Sequence, residues 1–324
     1  MLRSNLLSPL VLAFFLGVGA KLIRSELSLP KDLYSSLSLY LLLALGIHGG
    51  VELSERTFEA IAVPAGATIL LGCITPLSAY FLLRKAGRFS RIDSAALAAH
   101  YGSVSAVTYM AASQFATRMG ATPEGYMPTL LTLLESPGIH IALALGAIKA
   151  SKAAKESGAP RRSTGEILHE ILTARSMVLL VGGLLIGFLM GAEGYAPTKP
   201  FFEGGFKGAL VLFLLEMGLI AGARLSDLKK VGLRLVSLGV AIPILHGSLG
   251  VLLGHYAGLS VGGATVLGTM AASASYIAAP PAVRMTLPEA NPTYYLTASL
   301  VVTFPFNLVV GIPLYYKVAT ILAS

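Results

Sequence analysis

Two short runs of small residues, Gly102-Ser103-Val104-Ser105 and Ala272-Ser273-Ala274-Ser275, carry the chemistry open to this sequence. Each lies inside a strongly apolar stretch, where glycine and serine favour helix poorly and freed backbone groups are tolerated only if they line protein or a wet cavity. If both helices break there and cross antiparallel, the starts of their second halves meet from opposite sides. Free N–H groups and two positive dipole ends then converge, which makes an anion site. Serine hydroxyls add donors of the right reach for a small oxyanion. The plainer alternative is close helix packing through small residues. The corresponding places of the two runs, and Pro280-Pro281 just beyond the second, favour the breaks.

A cation can be held beside such an anion by carbonyls freed at the same breaks. Glu135, in LLESPGI, is the best charged candidate, because an ionisable side chain in the middle of a transmembrane helix is costly and marks function by default. The following Ser136-Pro137 frees a backbone carbonyl one turn back. Oxygen ligands with few waters suit a hard monovalent ion such as sodium, with a proton as the alternative. A structural hydrogen bond to a neighbouring helix is the other role open to Glu135. Thr303 and Asn307 stand in the corresponding part of the last segment, around Pro305, as neutral counterparts. Glu216 matches no acid in the first half, and His48, His100, His140 and His246 have no metal-ligand spacing. Tyr109 and Tyr276 flank the breaks, as pocket walls or as packing. Asp32, Asp93 and Asp227 fall at helix ends or in loops, against an antiporter built on mid-membrane aspartates. The sequence has no phosphate loop, no metal cluster and no nucleophile–base pair, so no enzyme is expected and no cofactor beyond a coupling ion.

The elements that must position these residues are membrane helices. The chain is 55% hydrophobic and 12% charged over 324 residues, with a mean hydropathy of +0.75. That is more apolar surface than a soluble domain can bury. The lone Cys73 lies in an apolar run, has no internal partner and reads as a small core residue. Ten segments are expected to span, at about 5–23, 33–51, 60–84, 93–118, 127–148, 175–192, 205–223, 233–256, 261–285 and 293–320. The first is read as a retained helix, since no convincing small-residue cleavage site follows it.

The segments form two halves of five. LGIHGGVELSE (45–55) matches MGLIAGARLSD (217–227) at Gly46/Gly218, Gly50/Gly222, Leu53/Leu225 and Ser54/Ser226. HYGSVSAVTYM (100–110) faces MAASASYIAAP (270–280), and Glu135/Pro137 face Thr303/Pro305. Because five is odd, the second half threads the membrane in the opposite direction, a recurrent build of secondary transporters. The expected fold is therefore an all-α membrane protein of ten transmembrane helices in two inverted five-helix repeats, with helices four and nine interrupted. Residues 1–150 and 175–324 are the repeats and 151–174 a cytoplasmic linker, solvated or holding a short surface helix around Ile167–Leu172. With the N-terminus outside, eighteen of the 24 Lys and Arg fall on inner connections, as the positive-inside rule expects. Both termini are then outside a cell (inner) membrane, and topology explains the net charge of +8 without a nucleic-acid partner.

The runs HYGSVSAVTYMAA, GYMPTLLTLLESPGI, ASASYIAAPPAVRMTLPEANPTYY and SLVVTFPFNLVVGIPLYY resemble the sodium-dependent bicarbonate transporter family known from cyanobacteria, over essentially the whole chain. The resemblance implies a sodium/bicarbonate symporter with a core of helices three to five and eight to ten, and a gate or scaffold of helices one, two, six and seven. It also implies a homotrimer and a cytoplasmic PII-like regulator. By motif it puts the anion on Gly102, Ser103, Val104, Ser105, Ser273, Ala274, Ser275 and Tyr276, and sodium near Glu135, Ser136, Thr303 and Asn307. The short linker between halves departs from the family and bears on the regulator. The rival readings are symport of another small or organic anion, and a membrane receptor for a signalling protein that moves nothing.

Overall fold

In the computed structural model, which describes residues 5–135, 137–146, 169 and 173–324, every regular element is a helix. In chain order these are α1 Pro9–Leu22, α2 Lys31–Ser54, α3 Phe58–Lys85, α4 Arg91–Tyr101, α5 Ala106–Arg118 and α6 Met127–Glu135, with residues 137–146 again helical. They continue as α7 Arg175–Tyr195, α8 Phe206–Ala223, α9 Leu228–Tyr256, α10 Val261–Ala271, α11 Ala279–Thr286 and α12 Pro292–Ala323. Seven spans among the described residues are long and apolar enough to cross a membrane. The sequence leads one to expect ten. The difference has a physical origin in three places: α1 is only 14 residues long, and the fourth and ninth segments are each cut into two shorter helices. Ser136 and all of the 151–174 linker except His169, Thr173 and Ala174 lie outside the described residues.

Local chemistry sets the ends of the broken helices. Ser90 Oγ accepts the Asp93 N–H at the start of α4, and Ser260 Oγ accepts the Gly263 N–H at the start of α10. Both helices run 11 residues and stop at the small polar runs, at Tyr101 and Ala271. Loops then clamp the two halves crosswise. Glu124, before α6, accepts the Ser260 N–H at 2.6 Å, and the Asn291 N–H, before α12, donates to Asp93 at 2.9 Å. The start of each interrupted segment is thus held by the other half of the chain.

α1, α2, α7 and α8 pack through glycine. A Cβ on Gly218 of α8 would strike the Phe14 carbonyl of α1, and a Cβ on Gly50 of α2 would strike the Leu184 carbonyl of α7. The sequence-matched glycines therefore make matched backbone approaches, α2 on α7 and α8 on α1. Such close approach is how helices associate in lipid, where no hydrophobic drive separates them from the tails. α12 is continuous through Pro305, winding more widely at Thr297–Thr303 and Asn307–Gly311. This local rewinding re-satisfies backbone bonds that the proline removes.

Overpacking these contacts should cost about 1–3 kcal/mol. Gly218→Val and Gly50→Val are expected to lower the unfolding temperature of the detergent-solubilised protein. Gly204→Val, where nothing lies within 4 Å of the added carbon, is the control and should leave it unchanged.

Candidate site at the crossing of the broken helices

The chain leaves the helix after Tyr101 and resumes at Ala106; it leaves again after Ala271 and resumes at Ala279. The two irregular stretches touch. Ser275 N–H donates to the His100 carbonyl at 2.8 Å, so an orphan carbonyl at the end of α4 is satisfied from the other half of the chain. In the reverse direction a hydroxyl intervenes: Ser105 N–H donates to Ser273 Oγ at 2.9 Å, and Ser273 Oγ donates to the Met270 carbonyl at 2.7 Å. The pairing of residues 100–110 with 270–280 makes these two links equivalent, but one is direct and the other passes through a serine.

This asymmetry decides what each serine can do. Ser273 is consumed as a relay, and Ser105 caps α5 by accepting the Thr108 N–H at 3.3 Å. Ser275 Oγ accepts from Ala278 and Ala279 at the start of α11. Ser103, the counterpart of Ser273, has no carbonyl to bridge, because Ser275 already reaches His100. Its Oγ is buried and has no hydrogen-bond partner among the described residues. A buried unpaired hydroxyl is costly in apolar surroundings, which makes Ser103 Oγ a candidate donor at the break. Val104 and Ala274 are buried between the serines, and Tyr276 lies edge-on to Phe304 with ring centroids 5.6 Å apart. Gly102 completes the set: its carbonyl lies where a Cβ on Gly138 would stand, so Gly138 must be glycine for α6 to reach the break. The expected anion residues therefore come together. Gly138 was missed in the sequence, although the Pro137-Gly138 pair beside Glu135 was its signal.

The expected sodium residues divide. Glu135 is buried and, with Arg175, Ser176, Ile277 and Pro281, lines a cavity of about 360 Å³. Thr303 donates to the Gly239 carbonyl at 2.7 Å and meets the Tyr101 hydroxyl at 2.9 Å. Asn307 Nδ2 donates to the Ala272 carbonyl at 2.8 Å, and its Oδ1 accepts from Tyr315 at 3.2 Å. No hydrogen bond or ion pair joins Glu135 to Thr303 or Asn307 among the described residues, and Ser136 lies outside them. Asn307 does bear on the crossing, since it holds the carbonyl freed by the second break.

The remaining polar residues have local work. His100 bonds the Ala96 carbonyl at 2.7 Å and stacks on Tyr295, and His246 pairs with Ser78 at 2.5 Å. His48 is half-exposed rather than a core residue and lies 3.7 Å from Glu203. Glu216 Oε2 is buried without a hydrogen-bond partner among the described residues. Among the described residues no group of three His, Cys, Asp or Glu side chains could hold a metal.

Two comparisons bear on this geometry. A family model described as the Na+-dependent bicarbonate transporter superfamily matches residues 9–320. No curated protein matches the chain.

The unequal serines predict unequal losses. Ser273→Ala orphans the Ser105 N–H inside the protein and is expected to destabilise by about 1–3 kcal/mol, measured by denaturation in detergent. Ser103→Ala breaks no internal bond and should leave stability unchanged. Equal losses in the two variants would contradict the asymmetry.

Proposed function

The chain belongs to the Na+-dependent bicarbonate transporter superfamily, and on that premise we propose that it is a sodium-coupled bicarbonate symporter working by alternating access. The observation that carries the proposal is the buried crossing of two broken helices, with an unpaired serine hydroxyl at its centre. Bicarbonate is small, planar and singly charged. It needs a few convergent donors and little volume, which suits a site whose contacting residues are all buried. A larger organic anion would need more room than the crossing has. In this reading Ser103 Oγ donates directly to the anion. Val104 and Ala274 supply backbone N–H groups; Gly102, Ser105, Ser273 and Ser275, whose N–H groups are taken by internal bonds, form close walls, and the Tyr276 ring shuts the side toward Phe304. The dipoles at the starts of α5 and α11 supply positive potential without a buried lysine or arginine, so the anion can leave again.

The coupling sodium is assigned to Glu135 with Ser136, on the α6 side of the crossing. Thr303 and Asn307 stand at the corresponding place in α12, where their internal bonds hold backbone rather than leaving open ligands. The matched glycine contacts and the crosswise loop clamps support two inverted five-helix repeats, residues 1–150 and 175–324. The core is then the third to fifth and eighth to tenth segments, moving against the α1, α2, α7 and α8 scaffold. The protein is multi-pass, and in the proposed orientation both termini face outward from the inner membrane. The homotrimer and the PII-like regulator belong to the same reading; the 151–174 connection would lie on the regulator's cytoplasmic side. A receptor that moves nothing has no use for paired breaks.

Purified protein in liposomes should take up labelled bicarbonate in a sodium gradient and lose that uptake when potassium or choline replaces sodium. Uptake indifferent to sodium would overturn the symport. Ser103→Ala should weaken apparent bicarbonate affinity by the worth of one hydrogen bond to a charged group, about 1.5–3 kcal/mol. Glu135→Gln keeps shape and removes charge, so it should raise the sodium concentration for half-maximal uptake. An unshifted titration would move the cation to backbone carbonyls around Thr303 and Asn307.

A further inference from the structure

Two cavities open between the core and the scaffold. The larger, of about 700 Å³, is lined by Glu124 and Glu203 as well as by Arg118 and Lys207, so it offers both signs of charge. The smaller, of about 360 Å³, is lined by one carboxylate, Glu135 of α6, and one guanidinium, Arg175 of α7, and by no other charged side chain. The two belong to different bodies. Glu135 is 7% exposed and lies on the core, whereas Arg175 is exposed and lies at the start of a scaffold helix. Ile277 and Ala278 bring the second break to the same cavity.

Arg175 stands where a cation is least expected. The first turn of a helix favours negative charge, because its free N–H groups and the positive end of the dipole lie there. α7 has neither an acid in that turn nor a side-chain cap, since Ala174 precedes it, and the guanidinium adds a full positive charge. No acid among the described residues makes an ion pair with Arg175, Glu216 of α8 included. The side chain is anchored instead within the scaffold: Nη1 donates to Ser35 Oγ and Nη2 to the Ser35 carbonyl, at the start of α2. The cavity therefore separates a lone buried carboxylate on the core from a positively charged helix end on the scaffold. A carboxylate taken out of water is costly unless a cation offsets it. Two cations can do so here, sodium or the one the scaffold carries.

We propose that Arg175 is a tethered internal cation that competes with sodium for Glu135. The proposal rests on the assignment of sodium to Glu135 and deepens it, naming what takes the ion's place when it leaves. In the proposed orientation α7 starts at the cytoplasmic side, so the competitor waits on the side where sodium is released. Because Arg175 travels with the scaffold and Glu135 with the core, their separation changes as the two bodies move. The competition is then strong in one state and weak in the other, which lets the same carboxylate bind sodium outside and give it up inside.

Binding of radiolabelled sodium to the purified full chain in detergent tests this without transport, with choline chloride holding the ionic strength constant. Glu135→Gln should raise the sodium concentration for half-saturation or abolish binding. Arg175→Gln should lower it by about 3- to 10-fold, the effect of removing one unit charge at cavity distance in the effective dielectric of a protein. Arg175→Ala serves if that variant does not fold. Arg175→Lys keeps the charge and should stay near the unaltered protein. Ser35→Ala loosens the tether and also keeps the charge, so its half-saturation point should not fall. A purely structural part for the bonds between Arg175 and Ser35 predicts instead shifts of the same sign in Arg175→Gln and Ser35→Ala. Sodium binding that Glu135→Gln leaves in place overturns the sodium assignment and the proposal together. Binding that responds to Glu135→Gln but is not tightened by Arg175→Gln, or is tightened equally by Arg175→Lys or by Ser35→Ala, overturns the internal cation alone.

Discussion

Everything at the centre of this fold follows from backbone groups set free where there is no water to satisfy them. Interrupting two helices at membrane depth releases N–H and C=O groups, each costing several kcal/mol if left bare. The chain meets that cost by exchange: Ser275 N–H takes the His100 carbonyl, and Ser105 N–H reaches the Met270 carbonyl through Ser273. Neither break is stable without the other. The small residues follow from this, since a larger side chain at Gly102 would meet Pro76 and Gly138, and any side chain at Gly138 would displace the Gly102 carbonyl. Asn307 belongs to the same economy, holding the Ala272 carbonyl that the second break leaves behind.

A site built from exchanged backbone bonds tolerates little relative movement of its parts, so the surrounding elements divide by stiffness. The interrupted segments are tied at their starts by serine caps and by Glu124 and Asn291 from loops. Around them, α1 on α8 and α2 on α7 meet backbone to backbone through glycine. These close pairs form a separate rigid frame. Contacts between frame and core are of another kind: ring against ring at Phe14 and Phe304, and side chain on backbone where Asn5, just before α1, donates to the Leu308 carbonyl at 2.8 Å. Interfaces of that sort can slide, and both cavities open along them.

The breaks were legible because they violate a local rule twice, at matched positions, with poor helix formers in apolar segments. The glycines matched between the two halves make close backbone approaches, α2 on α7 and α8 on α1. The sequence was less informative wherever function depends on which way a helix face points. Glu135, Thr303 and Asn307 look equivalent when aligned around their prolines, yet Glu135 faces α7 and a cavity while the other two are spent on backbone carbonyls. Pro305 lies inside the tenth expected segment, which stays continuous as α12 by winding more widely on either side of it. Of the ten expected segments, the fourth and ninth are interrupted as the sequence implies, and the regular part of α1 is 14 residues, so seven spans are long and apolar enough to cross a membrane among the described residues.

Duplication alone would give a crossing in which each half does the same thing. Two equivalent links, each direct, would leave Ser103 and Ser273 both unpaired; two links through serine would leave neither. The structure has one of each, which leaves the Ser103 hydroxyl, like that of Tyr276, without a partner beside a locked scaffold of backbone bonds. For a carrier this is a useful compromise. The bonds that hold the broken helices in register need not be broken to admit an ion, because the donor offered to it carries no structural load. An anion bound by such a donor and by helix dipoles, with no buried cation opposite, is held by terms that weaken as soon as water re-enters. In the proposed transport cycle, affinity at the crossing depends on closure of the surrounding bodies rather than on the contact residues alone. That dependence ties binding to the motion that releases the ion on the other side.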